Sequence, residues 1–199
     1  MNNKGKYYYD NALKTTVQFG TRHKPNCIVI RGASISKRNF SGNADRFGNT
    51  KRIFWINLTE DLFNAIVAEK GNCNYSVWEF AAPEDTEPKL YQIKVQVNYA
   101  SANQPKAFLY TRANKDADYL KETELTDVTI GSLDHLYDED IENIDLYLNP
   151  YDRKKDGNFT LYLNRIEVTM KYIEEDESYV KKFKIVRDED NAVGDTNED

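Results

Sequence analysis

A chain of 199 residues, 40% hydrophobic and 30% charged, can bury one sizeable core and is too apolar to stay unfolded throughout. No apolar run approaches the ~20 residues a membrane-spanning helix needs, and the polar start of the chain lacks the apolar stretch of a secretory leader. Cys27 and Cys73 are too few for a disulfide framework or a zinc site, so a reducing cytoplasm is the expected setting, with Cys27 as a small core residue.

The net charge of −6 hides a split: residues 1–59 hold eleven Lys/Arg against two acids, a balance of +9, and the remainder of the chain carries −15. A basic half beside an acidic half speaks to partners rather than to fold, and it weakens the objection to nucleic acid that overall acidity would raise. Fourteen Tyr and nine Phe favour pleated, half-buried surfaces and point to the β class.

Taken in order, residues 1–24 are polar and basic with three consecutive tyrosines, Tyr7 to Tyr9, and read as an arm or a leading irregular strand. A single domain is expected over residues 25–173. Residues 26–31, with β-branched Ile28, Val29 and Ile30, read as a strand, and residues 32–51 as a loop whose beginning, 34–40, can continue it. In residues 52–57 Ile53, Trp55 and Asn57 share one face, and Phe54 and Ile56 the other. Residues 59–70 form the one strong helix: Thr59 caps it, Glu60 and Asp61 suit its first turn, Gly71 ends it, and Leu62, Phe63, Ile66 and Val67 make its buried stripe.

Residues 74–80 read as a strand, closed by the turn-rich acidic stretch 83–88. Residues 90–99 alternate Tyr91, Ile93, Val95, Val97 and Tyr99 against Gln92, Lys94, Gln96 and Asn98, with 106–112 as the expected hairpin partner across the 101–105 turn. Residues 114–140 are acidic and mixed, with a helical turn near 132–137; 144–148 and 159–170 are the last strands, joined by the polar loop 149–157. Residues 174–199 form an acidic extension, expected to be disordered from about 187, where six acids accompany almost nothing that packs. Six to eight strands with one short helix suit a mainly β fold: a small antiparallel Greek-key barrel of the oligonucleotide-binding (OB-like) type, with a β-sandwich as the alternative.

The richest segment is Lys37-Arg38-Asn39-Phe40-Ser41-Gly42, then Asp45-Arg46-Phe47-Gly48, then Lys51-Arg52-Ile53-Phe54-Trp55. Cations interleaved with rings on a glycine-bearing loop fit the binding of single strands, where ring faces stack on unpaired bases for roughly 1–3 kcal/mol each. Arg38, Arg46, Lys51 and Arg52 are the expected phosphate contacts and Phe40, Phe47 and Trp55 the stacking rings, with Phe54 assigned to the core. The competing view makes this an exposed hairpin whose rings plug the end of the barrel. In the second basic-aromatic loop Tyr151, Arg153 and Lys154 extend the same groove, against a plain solvated turn favoured by Pro150 and Gly157.

Catalytic patterns are weak. His23 and His135 are far apart, and the acids Asp134, Asp138, Glu139, Asp140 and Glu142 suggest a Mg²⁺-dependent nuclease only as a minor alternative to solvated surface. A non-enzyme without metal or cofactor is expected.

The stretches Ile35-Ser36-Lys37-Arg38-Asn39-Phe40-Ser41-Gly42, Arg46-Phe47-Gly48 and Arg52-Ile53-Phe54 resemble the opening of a family of small bacteriophage proteins. So do Leu133-Asp134, Ile144-Asp145-Leu146, Asn149-Pro150-Tyr151, Gly157 and Tyr162-Leu163 further on. Some members are described as single-stranded-DNA-binding proteins with oligonucleotide-binding folds. The scattered matches cover residues 33–172. Two departures stand out: Arg153-Lys154-Lys155 replaces the aromatic that follows Pro150-Tyr151 in the family, and the Tyr7–Tyr9 segment has no counterpart. The resemblance implies a protein of phage DNA replication or recombination in the bacterial cytoplasm, with single-stranded DNA as partner. The acidic extension has two readings: a solubilising terminus, or, on charge alone, a mobile anion that competes with DNA for the basic groove and docks phage or host replication proteins. The alternative is a phage interaction protein, an inhibitor of a host factor or a minor virion component, that turns the same surface on protein.

Overall fold

The computed structural model describes residues 6–46, 48, 50–78, 89–112, 114–115, 119–152 and 157–172. Phe47, Arg153, Lys154, the acidic stretch 83–88 and the acidic extension 174–199 lie outside the described residues.

The chain opens with a hairpin of β1 (Lys6–Asp10) and β2 (Thr15–Phe19). Thr15, Val17 and Phe19 point inward and are buried, whereas Tyr7 and Tyr9 are each 63% exposed; Tyr8 alone turns in, edge-on to Phe19 with ring centres 5.7 Å apart. Residues 6–19, read from the sequence as part of an arm or a leading irregular strand, form two strands joined to the sheet by the pairing of β2 with β3 (Ile28–Arg31). At the corner after β3, Gly32 has φ +64°, and a Cβ there would lie 2.7 Å from the Lys14 carbonyl oxygen, so glycine is required.

The next hairpin joins β4 (Ser34–Asn39) to β5 (Ile53–Leu58), whose Phe54, Ile56 and Leu58 are fully buried. Helix α1 (Glu60–Lys70) starts as the sequence indicates: the Thr59 hydroxyl accepts from the Leu62 N–H, Glu60 and Asp61 occupy the first turn, and Gly71 at φ +90° closes it by donating to the Val67 carbonyl. Leu62, Phe63, Ala65 and Ile66 are buried, with Val67 at the margin of the core.

The remaining elements are β6 (Asn72–Cys73), β7 (Tyr75–Trp78), β8 (Leu90–Gln96), β9 (Lys106–Arg112), β10 (Leu120–Leu125), the 3-10 turns Ile130–His135 and Asp138–Asp140, and the long strands β11 (Ile141–Asp152) and β12 (Asn158–Met170). β11 and β12 pair antiparallel along nearly their whole length. The other edge of β12 takes three parallel partners in succession, β6, then β8, then β9.

This arrangement corrects two expectations. First, β8 and β9 are not a hairpin. One edge of β8 is filled by β5 and the other by β7 and then β12, so no edge remains for β9, which pairs with β12 and β10 instead. Second, the main path runs β1-β2-β3-β11-β12-β8-β5-β4, and its two ends do not pair with each other among the described residues. The fold is mainly β, but its sheet is mixed and open rather than a closed antiparallel barrel.

A bulge in β12 keeps this long strand facing one core. Tyr147 is opposite Arg165 and Leu148 opposite Leu163, which leaves Asn164 extra, and the inward set switches from Phe159, Leu161 and Leu163 to Ile166 and Val168. β11 runs on through residues expected as loop. Pro150 is tolerated there because β3 pairs with β11 only at residues 145–148, so the missing N–H interrupts no ladder on that side. β10 lies in the stretch read as mixed and acidic. Of its six residues Leu125 alone is buried, so it carries no alternation to mark it.

Candidate nucleic-acid interface

The site begins with an irregularity in β4. Ser36 is opposite Trp55 and Asn39 opposite Ile53, so Lys37 and Arg38 together face the single residue Phe54. Lys37 takes up the extra length with φ +48°, a left-handed conformation that costs a side-chain-bearing residue about 1 kcal/mol or more. Its ammonium donates to the Gln92 Oε1 at 2.9 Å and lies 5.2 Å from the centre of the Trp55 ring. Lys94, the partner of Trp55 on β8, places its own ammonium 5.7 Å from the same ring. Trp55 is therefore half-buried on the outer face of the sheet, with a cation on each neighbouring strand.

The floor beside this ring is rigid and polar. The Gln92 amide, fully buried, donates to Asn57 Oδ1 at 2.7 Å and to the Ser36 hydroxyl at 3.1 Å, while the Asn57 amide donates to the Ser34 hydroxyl at 3.0 Å. Side chains held by such a network keep their rotamers, which favours a preorganised surface over a plastic one. Strand register carries the face further. Gln96 pairs with Ile53 on one side and Tyr162 on the other, and Tyr162 meets Tyr151 edge-on at 6.3 Å. Trp55, Lys94, Gln96, Tyr162 and Tyr151 thus lie along one face of β5, β8, β12 and β11, three strand steps or roughly 14 Å across.

Of the residues expected to meet the strand, Trp55 and Tyr151 lie on this outer face, Tyr151 being 65% exposed. Arg46 and Lys51 are exposed on the connection between β4 and β5, where a turn is closed by the Gly48 N–H donating to the Asp45 carbonyl at 2.9 Å. Three other residues expected to touch the strand have structural duties. Phe40 is fully buried and stacked on Phe54, centres 5.1 Å apart, so it cannot meet a base. Arg38 donates to the Leu136 carbonyl at 2.6 Å and pairs with Asp138 at 3.1 Å, its side chain only 15% exposed. Arg52 pairs with Asp127 and lies over the Tyr99 ring at 5.4 Å. Both arginines fasten the segment after β10 to the β4–β5 hairpin.

Lys94 and Tyr162 join the face without standing out in the sequence. The one signal for Lys94 is its place on the polar side of an alternating strand, and nothing marks Tyr162 as its neighbour. The acid cluster does not converge. Asp134 accepts from the Phe40 and Ser41 N–H groups, Asp138 pairs with Arg38, and Glu142 with Arg112. Among the described residues no three His, Cys, Asp or Glu side chains are placed to share a metal. Burial pushes the Cys73 thiol up to about 11, so at neutral pH it is a packing group.

Lys37→Gly separates placement from stability. Relief of the left-handed strain and removal of the bond to Gln92 are each worth about 1 kcal/mol and oppose one another, so the melting temperature should hardly change. A thermal melt that drops by many degrees would show that Lys37 serves the fold first.

No protein-family model, curated protein or solved structure matches this chain.

Proposed function

We propose that the protein binds single-stranded DNA, without catalysis, across the outer face of β5, β8, β12 and β11. The observation that carries this reading is Trp55, held on a hydrogen-bonded floor between the ammonium groups of Lys37 and Lys94. In this reading a base stacks on Trp55 and the strand continues towards Tyr162 and Tyr151. Phosphates meet Lys37 and Lys94, and Arg46 and Lys51 where the strand leaves the face. Stacking and phosphate pairing are blind to sequence, so the binding tolerates any base. The open sheet then serves as the groove does in an oligonucleotide-binding barrel. The setting that goes with this activity is phage DNA replication or recombination in a bacterial cell, with the acidic residues 187–199 competing with DNA for the cations and meeting replication proteins.

Titration of tryptophan fluorescence with dT oligonucleotides at low salt tests it, since Trp55 is one of only two tryptophans. Trp55→Ala should weaken binding by about 1–3 kcal/mol with an unchanged salt slope, because no counterion is involved. Lys37→Gly with Lys94→Ala should weaken it too, and make the slope of log K against log salt shallower by about 0.7 for each phosphate no longer neutralised. Absence of binding at low salt, or variants that bind like the parent, would overturn the reading and favour a protein partner for this face.

A further inference from the structure

A second concave site lies away from Trp55. A cleft of about 470 Å³ opens where the loop between β2 and β3, the turn between β8 and β9, and the bulge of β12 meet. Its volume is within the range of small-molecule sites. Strand register builds its floor: Tyr147 on β11 is opposite Arg165 on β12, which is beside Lys106 on β9. The bulge brings Asn164 into the wall next to Arg165, and the Lys24 ammonium reaches over from the β2–β3 loop to donate to Asn164 Oδ1 at 2.8 Å.

The charge of this cleft is one-sided. Lys24, Lys106 and Arg165 line it together with His23, and among the described residues no Asp or Glu does. Lys24 donates to a neutral amide, and Lys106 has no ion pair among the described residues. Arg165 pairs with Glu167 and lies 4.2 Å from the Phe108 ring, which holds its guanidinium in place. A concave wall of one charge sign concentrates anions. Beside these cations stand the half-buried Tyr147 ring and the amides of Asn164 and Gln104, which suit a flat, polar-edged ring.

We propose that this cleft binds a nucleoside phosphate, with the phosphate on Lys24 and Lys106 and the base against Tyr147. The cleft acts independently of the strand-binding face. Its ligand can be a free mononucleotide or the 5′-phosphorylated end of a strand, since both present the same group.

Calorimetric titration of the full chain with AMP, adenosine and inorganic phosphate is the test. AMP should bind at least tenfold more tightly than either of the others. Lys24→Ala with Lys106→Ala, both at exposed positions, should lower AMP affinity at least tenfold without lowering the melting temperature. Lys121→Ala, an equal change of charge on β10, should leave AMP affinity unchanged. A dT oligonucleotide that gains affinity from a 5′-phosphate, and loses that gain in the double variant, identifies the strand end; no gain identifies the free nucleotide. AMP binding no tighter than inorganic phosphate, or a double variant that binds AMP like the parent, would overturn the proposal.

Discussion

Phe40→Ala should destabilise the protein by about 3–5 kcal/mol, the usual cost of deleting a buried phenylalanine. The ring is fully buried against Phe54 and belongs to the large apolar cluster of the described residues, so its removal leaves a cavity that the surrounding strands can fill only in part. For a domain of this size each 1 kcal/mol shifts the melting temperature by about 2–4 °C, so the drop should reach about 10 °C. Affinity for single-stranded DNA, measured at a temperature where the variant is still folded, should stay close to that of the parent. Trp55→Ala has the opposite signature, weak binding with a nearly normal melt. A Phe40→Ala protein that melts normally and binds poorly would place the stacking ring in the β4–β5 connection and move the interface there.

Asp134→Ala should cost about 2–4 kcal/mol, because three hydrogen bonds to one carboxylate disappear and two backbone donors are left without it. Its oxygens accept from the Phe40 N–H at 2.7 Å, the Ser41 N–H at 2.9 Å and the Ser41 hydroxyl at 2.7 Å. The clamp is tight: a Cβ added to Gly131 would lie 2.9 Å from the Ser41 Cβ, so the 3-10 turn sits directly on residue 41. Asp134→Asn keeps the shape with one acceptor fewer and no charge, and should fall between parent and alanine variant in chemical denaturation. Because the clamp holds the end of β4, the alanine variant should also bind DNA less well through a looser Lys37. An alanine variant as stable as the parent would mean that water takes over all three bonds.

These two residues also mark where the sequence is legible. Helix α1 can be read almost to its ends, because its cap, first-turn acids, buried stripe and terminal glycine are all local signals. The two faces of β5 are equally plain, with Phe54 inward and Trp55 outward. Phe40 misleads for a physical reason. The bulge at Lys37 and Arg38 shifts the inward phase of β4 by one residue, and no period of two can reveal a shift that the partner strand imposes. Arg38 and Arg52 look like free cations because their partners, Asp138 and Asp127, are remote in sequence and belong to a segment that reads as solvated acid. The same distance hides the match between Trp55 and Lys94. Alternation tells which face of β8 is polar, not which strand lies beside it.

Among the described strands, the two that link the rest, β11 and β12, come after all the others in chain order. β3 finds its second neighbour in β11, and β8, already beside β5 and β7, meets β12 at residues 161–162. Among the described residues no strand pairing therefore links these two groups until β11 and β12 have been synthesised; before that α1 bridges them, through Thr59 on Asp10 and Glu69 on Lys6. At about 5–20 residues per second, β3 leaves the ribosome some seconds before its neighbour exists. During that interval its run Ile28-Val29-Ile30, fully buried in the finished fold, faces water with an unpaired edge. The β1–β2 hairpin covers the other edge early and halves the exposed hydrogen-bonding surface of the nascent chain. The mixed sheet thus leaves one edge of this short apolar strand without its strand partner until β11 has been made.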